Sequence, residues 1–148
     1  MEKKFNEKII IKKLDNKNDM LLAYPIIKQR YENLTLEKYN EQISEMIKVN
    51  DFKMIAAFLD NEIIGIAGYW VLRMLYCGRY IQVSSFIVDK EKRGFGIGQK
   101  ILETLEKIGK ELNCEKIVLD SYTENKKSHS LYYRNNFHIR GFHFMKDL

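Results

Sequence analysis

Three runs rich in β-branched and aromatic residues follow one another through the middle of the chain: Met54 to Leu59, Glu62 to Leu75 and Arg79 to Val88. Asp60-Asn61 reads as a tight hairpin turn between the first two, and Cys77-Gly78 as the turn between the second two. Three antiparallel strands in a row follow from this pattern. The flanks change period. Ile9 to Leu14 reads as a strand, and the segments Asp19 to Tyr31 and Leu36 to Val49 read as helices. Thr35 suits the N-cap of the second helix. Lys38 stands where a capping box would place Glu or Gln, while Glu37 suits the positive end of the helix dipole. Tyr39, Ile43, Met46 and Ile47 form its apolar face. After Gly96 the helical period returns, with Ile97, Ile101, Leu102, Leu105, Ile108 and Leu112 on one face. Lys116 to Leu119 reads as a short buried strand, Lys126 to Asn135 as a short helix and Ile139 to Met145 as a final strand. The order β-α-α-β-β-β-α-β-α-β predicts a mixed α/β fold with helices covering a sheet.

With 148 residues, 45% of them hydrophobic and 30% charged, the chain suits one globular domain over residues 1–148. A single proline argues against a disordered linker. The N-terminal stretch is charged, and the apolar Ile9-Ile10-Ile11 is too short for a secretion signal. No run approaches the ~18 apolar residues of a membrane span. Cys77 and Cys114 have no partner at metal-ligand spacing, so no metal site is expected and a reduced, cytoplasmic protein is the simplest reading. The net charge of +5 is spread as single lysines and short pairs. It suits a solvated surface or attraction to an anionic ligand. Nucleic-acid binding would need a concentrated basic stripe with a recognisable motif, and neither is present.

The chemistry concentrates in Phe86-Ile87-Val88-Asp89-Lys90-Glu91-Lys92-Arg93-Gly94-Phe95-Gly96-Ile97-Gly98. A strand runs into a charged turn, then an arginine, then three alternating glycines at the mouth of an amphipathic helix. The first N–H groups of a helix lack intrahelical partners and sit at the positive end of its dipole. Glycines let that backbone press close to a phosphate. The planar fork of Arg93 suits phosphate oxygens, and a pyrophosphate fits such a cradle. A Walker A loop fails, because Gly98-Gln99-Lys100-Ile101 lacks its Gly-Lys-Ser/Thr ending. A dinucleotide turn expects G-x-G-x-x-G directly after a strand, whereas G-x-G-x-G stands here behind a charged stretch. Asp120 nevertheless occupies the place of a ribose-binding acid, which keeps that alternative open.

Arg93-Gly94-Phe95-Gly96-Ile97-Gly98 resembles the pyrophosphate motif of the GNAT superfamily of N-acetyltransferases, Arg/Gln-x-x-Gly-x-Gly/Ala after a strand. The stretch from Asn125 to Phe137 resembles the second family motif, Asn-x-x-Ala-x-x-Phe/Leu-Tyr-x-x-x-Gly-Phe. Ser128 replaces the alanine and Asn136 the glycine, and Asn tolerates the left-handed conformation that a helix C-terminus wants. The element order fits as well, so the resemblance covers nearly the whole chain. It implies the acyl-CoA N-acyltransferase fold: a mixed, mostly antiparallel central sheet flanked by helices. It also implies acetyl-coenzyme A as cosubstrate and a small-molecule or peptide amine as acceptor, while the charge pattern and the short apolar runs lead to an expectation of no nucleic acid and no membrane. A homodimer would be in keeping with the family.

By this resemblance the pantetheine arm lies along the strand end at Phe86, Ile87 and Val88, pairing with backbone as an added strand would. Arg93, Gly94, Phe95, Gly96, Ile97, Gly98 and Gln99 hold the pyrophosphate. Asn125, otherwise a favoured N-cap, contacts the pantetheine or its acyl end. Tyr132 is the expected catalytic residue, protonating the departing thiolate, and Tyr133 is the weaker candidate. Direct transfer needs a neutral amine, although a lysine-like amine has a pKa of about 10.4. Some side chain or water chain must take that proton. A strand N–H near Phe86 would hold the developing oxyanion. A bacterial subgroup of the family carries an acidic pair where this chain has Ser84-Ser85, so an obvious base is missing. His129 and His143 are nominal replacements. The missing base leaves an alternative, a non-catalytic acyl-coenzyme A-binding regulatory module on the same fold. The Tyr31-Glu32 region is expected to wall the acceptor side without naming the acceptor.

Overall fold

The β-rich centre of the chain forms a meander. In the computed structural model, which describes residues 8–148, the elements are strand β1 (Ile10–Leu14), helices α1 (Lys17–Leu21), α2 (Tyr24–Arg30) and α3 (Leu36–Asn50), strands β2 (Lys53–Leu59), β3 (Glu62–Met74) and β4 (Gly78–Val88), helix α4 (Ile97–Glu111), strand β5 (Lys116–Val118) and helix α5 (Lys126–Arg134). The charged N-terminal stretch read from the sequence lies, as far as Glu7, outside the described residues. The chain divides into two units, Met1–Val118 and Leu119–Leu148.

The first unit holds a five-stranded sheet in the order β1-β2-β3-β4-β5. The first four strands pair antiparallel, and β5 runs parallel to β4. The β2–β3 turn is set by Asp60 and Asn61, with φ of 47° and 70°, the left-handed pair that a two-residue hairpin demands. The parallel β4–β5 pair needs a crossover, and α4 supplies it.

Alternation along the strands sorts side chains to two faces. On one face Met54, Ala56, Ile66 and Ile87 join Met20, Ala23, Ile26, Ile27, Tyr39 and Ile43 from the first three helices in a single core. On the other lies α4, whose Ile97, Ile101, Leu102, Leu105 and Ile108 are all buried. The approach of α4 to the sheet is close. A Cβ at Gly65 would lie 3.0 Å from Ile97 Cγ2 and 3.2 Å from Ile101 Cδ1. Thr35 caps α3, its Oγ1 accepting the Lys38 N–H at 3.2 Å.

Two expectations need correction. The single helix expected over Asp19 to Tyr31 is two helices. Pro25 sits in the first turn of α2, where its missing N–H does no harm. The residue before a proline resists helical continuation, so the helix restarts there. The final strand expected over Ile139 to Met145 is absent; residues 139–148 carry no regular secondary structure. Their β-forming composition has no ladder to join, and a strand without a partner leaves its backbone groups unpaired. Phe142, Phe144 and Met145 are exposed.

Candidate active site

The end of β4 is irregular where the sequence places cofactor contacts. Ile87 pairs with Ile66 and Ser84 with Gly68, so Ser85 and Phe86 together oppose the single residue Ala67. This is a β-bulge, and Ser85 takes the left-handed φ of 46° that such a kink requires. A non-glycine residue held there is costly and marks sites where backbone is re-aimed. On its other side β4 pairs with β5 along Tyr80, Ile81 and Gln82 only. Phe86, Ile87 and Val88 follow beyond the end of that ladder. The Ile87 side chain packs into the core, while Phe86 and Val88 are half-buried. The half-buried hydroxyls of Ser84 and Ser85 stand 3.5 Å apart at the bulge.

The charged stretch after β4 is a fastened turn. The Asp89 N–H donates to the Ile64 carbonyl at 2.9 Å, and Asp89 Oδ1 accepts the Glu91 N–H at 2.8 Å. The Lys90 N–H donates to Gln29 Oε1 of α2 at 3.0 Å, a tie that no sequence signal announced. Arg93 lies beyond the short 3-10 turn Lys90–Lys92, exposed, with its Nε–H on the Val88 carbonyl at 3.3 Å. No ion pair among the described residues uses Arg93.

Gly94 and Gly96 have φ of 90° and 76°, in the region that disfavours any Cβ. A Cβ at Gly94 would meet nothing within 4 Å, so the turn has open space beside it. Gly96 is the N-cap of α4 and provides no side-chain cap. The first backward bond runs from the Lys100 N–H to the Gly96 carbonyl at 3.1 Å. The N–H groups of the first turn therefore have no acceptor within the helix, at the positive end of its dipole. Ile97 is buried, and Phe95, Gly98 and Gln99 are half-buried; the Gln99 amide donates to Glu103 Oε1 at 3.0 Å. The segment Arg93 to Gln99 thus has the chemistry to seat an anion. Among the described residues no group of three or more His, Cys, Asp or Glu is placed to hold a metal ion, and no helix is long and apolar enough to cross a membrane.

The second unit carries Asn125 and Tyr132. Asn125 occupies the N-cap position of α5, yet its side chain makes no capping bond. Tyr132 is half-buried, its ring centroid 5.9 Å from that of Phe137. Burial raises its phenol pKa above the usual 10, and a hydrogen bond with Ser128 partly offsets this. The hydroxyl therefore keeps its proton at neutral pH. Tyr133 is exposed. Asn136 ends the helix in the left-handed conformation, φ 61°, with the Phe137 N–H on the Tyr132 carbonyl at 3.0 Å. Asp120 Oδ1 lies 3.4 Å from His143 Nδ1, both exposed. His129 Nε2 lies 2.9 Å from the Tyr122 carbonyl oxygen and 3.1 Å from Ser121 Oγ. Sequence reasoning missed that anchoring, because the motif marks the helix and not the turn before it.

The profile of the acetyltransferase (GNAT) family matches residues 18–137. The chain is similar to glucosamine 6-phosphate N-acetyltransferase 1 of Dictyostelium discoideum, 29% identical over 98 residues that make up 63% of this chain and 62% of that protein. It therefore spans less than two thirds of that relative's length. Among solved structures it resembles an aminoglycoside acetyltransferase from an uncultured soil metagenomic sample, at TM-score 0.82 and 18% identity, covering 96% of this chain and 97% of the other. It also resembles an aminoglycoside N-acetyltransferase in complex with CoA, at TM-score 0.79 and 16% identity, covering 95% of each. With both sequence motifs set on the expected elements and most of the chain matched, the protein belongs to the acetyltransferase (GNAT) family.

Proposed function

We propose that the chain is a single-domain N-acetyltransferase over residues 1–148 that moves an acetyl group from acetyl-coenzyme A to a primary amine by direct attack. One observation carries the reading. A bulged strand end runs into an arginine and a left-handed glycine turn at the head of a long amphipathic helix whose N-cap, Gly96, makes no side-chain cap bond. Phe86 to Val88 would line the pantetheine. Arg93 to Gln99 would hold the pyrophosphate through first-turn N–H groups and the guanidinium.

The bulge at Ser85–Phe86 suits an N–H directed at the thioester oxygen, where negative charge develops as the amine attacks. Tyr132 would donate its proton to the departing sulfur, a task for which a half-buried, protonated phenol is suited. Asn125 would contact the pantetheine or acyl end with a carboxamide that the helix does not use as a cap. No carboxylate stands at Ser84-Ser85, so the amine's proton would leave through these hydroxyls and water. Cys77 and Cys114 are free thiols, as a cytoplasmic setting favours.

Amino sugars are the first acceptors to test, since the relatives named above act on glucosamine 6-phosphate or aminoglycosides. Thiol release from acetyl-coenzyme A, followed against a panel of amino sugars, polyamines, amino acids and peptides, tests the proposal. Amine-dependent release is expected. Tight acetyl-coenzyme A binding with no release for any amine would favour the regulatory-module alternative.

A further inference from the structure

We propose that His129 is a positioning residue, whose Nε2–H clamps the Ser121–Tyr122 turn to the first turns of α5 and so leaves the Asn125 carboxamide to the acetyl-coenzyme A site. This rests on the function proposed above. The Tyr122 carbonyl oxygen can only accept, so the ring nitrogen 2.9 Å from it carries a proton whether the imidazole is neutral or charged. Nε2 therefore has no lone pair with which to take a proton from an amine. Ser121 Oγ, 3.1 Å away, shares the same N–H.

The clamp is double. The Tyr122 carbonyl also accepts the Asn125 N–H at 3.0 Å, and the His129 N–H donates to the Asn125 carbonyl at 3.2 Å. Asn is among the residues that best cap a helix through the side chain, yet Asn125 does not do so. The turn is ordered from within the helix by His129 instead. His129 itself is half-buried, while Ser121 and Tyr122 are exposed.

The test is calorimetric titration of acetyl-coenzyme A into the full chain and into His129→Ala and His129→Gln, with kcat and KM measured alongside. Gln places an amide N–H near the former Nε2. His129→Ala is expected to weaken binding about tenfold, the worth of one lost hydrogen bond. KM should rise more than kcat falls, and His129→Gln should recover most of the affinity. A proton–nitrogen NMR correlation on the wild type should show Nε2 protonated. Equal affinity in His129→Ala, no recovery in His129→Gln, or a proton on Nδ1 with Nε2 bare would each overturn the proposal. So would loss of one limb of the pH–rate profile in both variants with affinity intact, since that marks a base. A wild type that does not bind acetyl-coenzyme A would instead overturn the function on which the proposal stands.

Discussion

At Tyr132 the ring and the hydroxyl have separable tasks. The ring packs against Phe137, while burial keeps the hydroxyl protonated. Tyr132→Phe deletes only the oxygen, so cofactor affinity should hold and kcat should fall toward the low end of the ~10²–10⁴-fold range for acid–base groups. A thiol with a pKa of about 8.5 leaves fairly readily, which is why the low end is expected. Full turnover in the Phe variant at saturating acetyl-coenzyme A would make Tyr132 a packing residue. Arg93→Ala should weaken acetyl-coenzyme A binding by about tenfold without altering which amine is acetylated. An exposed guanidinium that binds the cofactor would act through charge, so titrations at rising salt should show the deficit shrink. At this scale the sequence was readable where backbone demands a special residue: Gly94, Gly96 and Asn136 all take the positive φ expected of glycine or asparagine. Ser85 takes it too and gave no sign, because a bulge is set by register against β3 and serine carries no mark of it.

Among the elements, α4 was legible almost residue for residue. Its apolar spacing is fixed by one buried face, and five of its predicted positions, Ile97, Ile101, Leu102, Leu105 and Ile108, are buried. The break before Tyr24 differs from the single helix expected there, and Pro25 is the residue that signals it. The segment after Ile139 shows that β propensity alone does not make a strand. Gly65 joins the fold to the candidate site, since the head of α4 rests on it. Gly65→Ala would push Ile97, Ile101 and the Ile87 carbonyl, costing about 1–3 kcal/mol as overpacking does. Thermal melting should show the loss. Acetyl-coenzyme A affinity should fall with it, because the glycine turn rides on the displaced helix. A destabilised variant with unchanged affinity would separate the turn from α4. Thr35→Ala should cost about 1 kcal/mol of stability as a lost cap, measured by urea unfolding, with no effect on binding.

Over the whole molecule, buried tyrosines tie stability to alkaline pH. Burial pushes the Tyr69 phenol up to about 12 and raises Tyr39 and Tyr132 as well. Tyr39 also donates its hydroxyl hydrogen to the Met20 carbonyl at 2.7 Å, a bond that ionisation removes. The unfolded chain releases these protons near the ordinary value of 10, before the folded chain does. Stability should therefore be level below that pH and decline as pH rises through the folded values. Urea midpoints from about pH 8 to about pH 12 would check the sign. The central claim is that the turn at Arg93–Gly98 holds the pyrophosphate of acetyl-coenzyme A. Gly96→Glu sets a carboxylate and a strained side chain at that turn. Titration calorimetry of acetyl-coenzyme A against the wild type and this variant, with melting temperatures recorded and NAD as the rival ligand, tests the claim most directly. Saturable wild-type binding, lost by at least about tenfold in a folded Gly96→Glu, is predicted. Equal affinity in the two proteins, or tight binding of NAD in place of acetyl-coenzyme A, would contradict it.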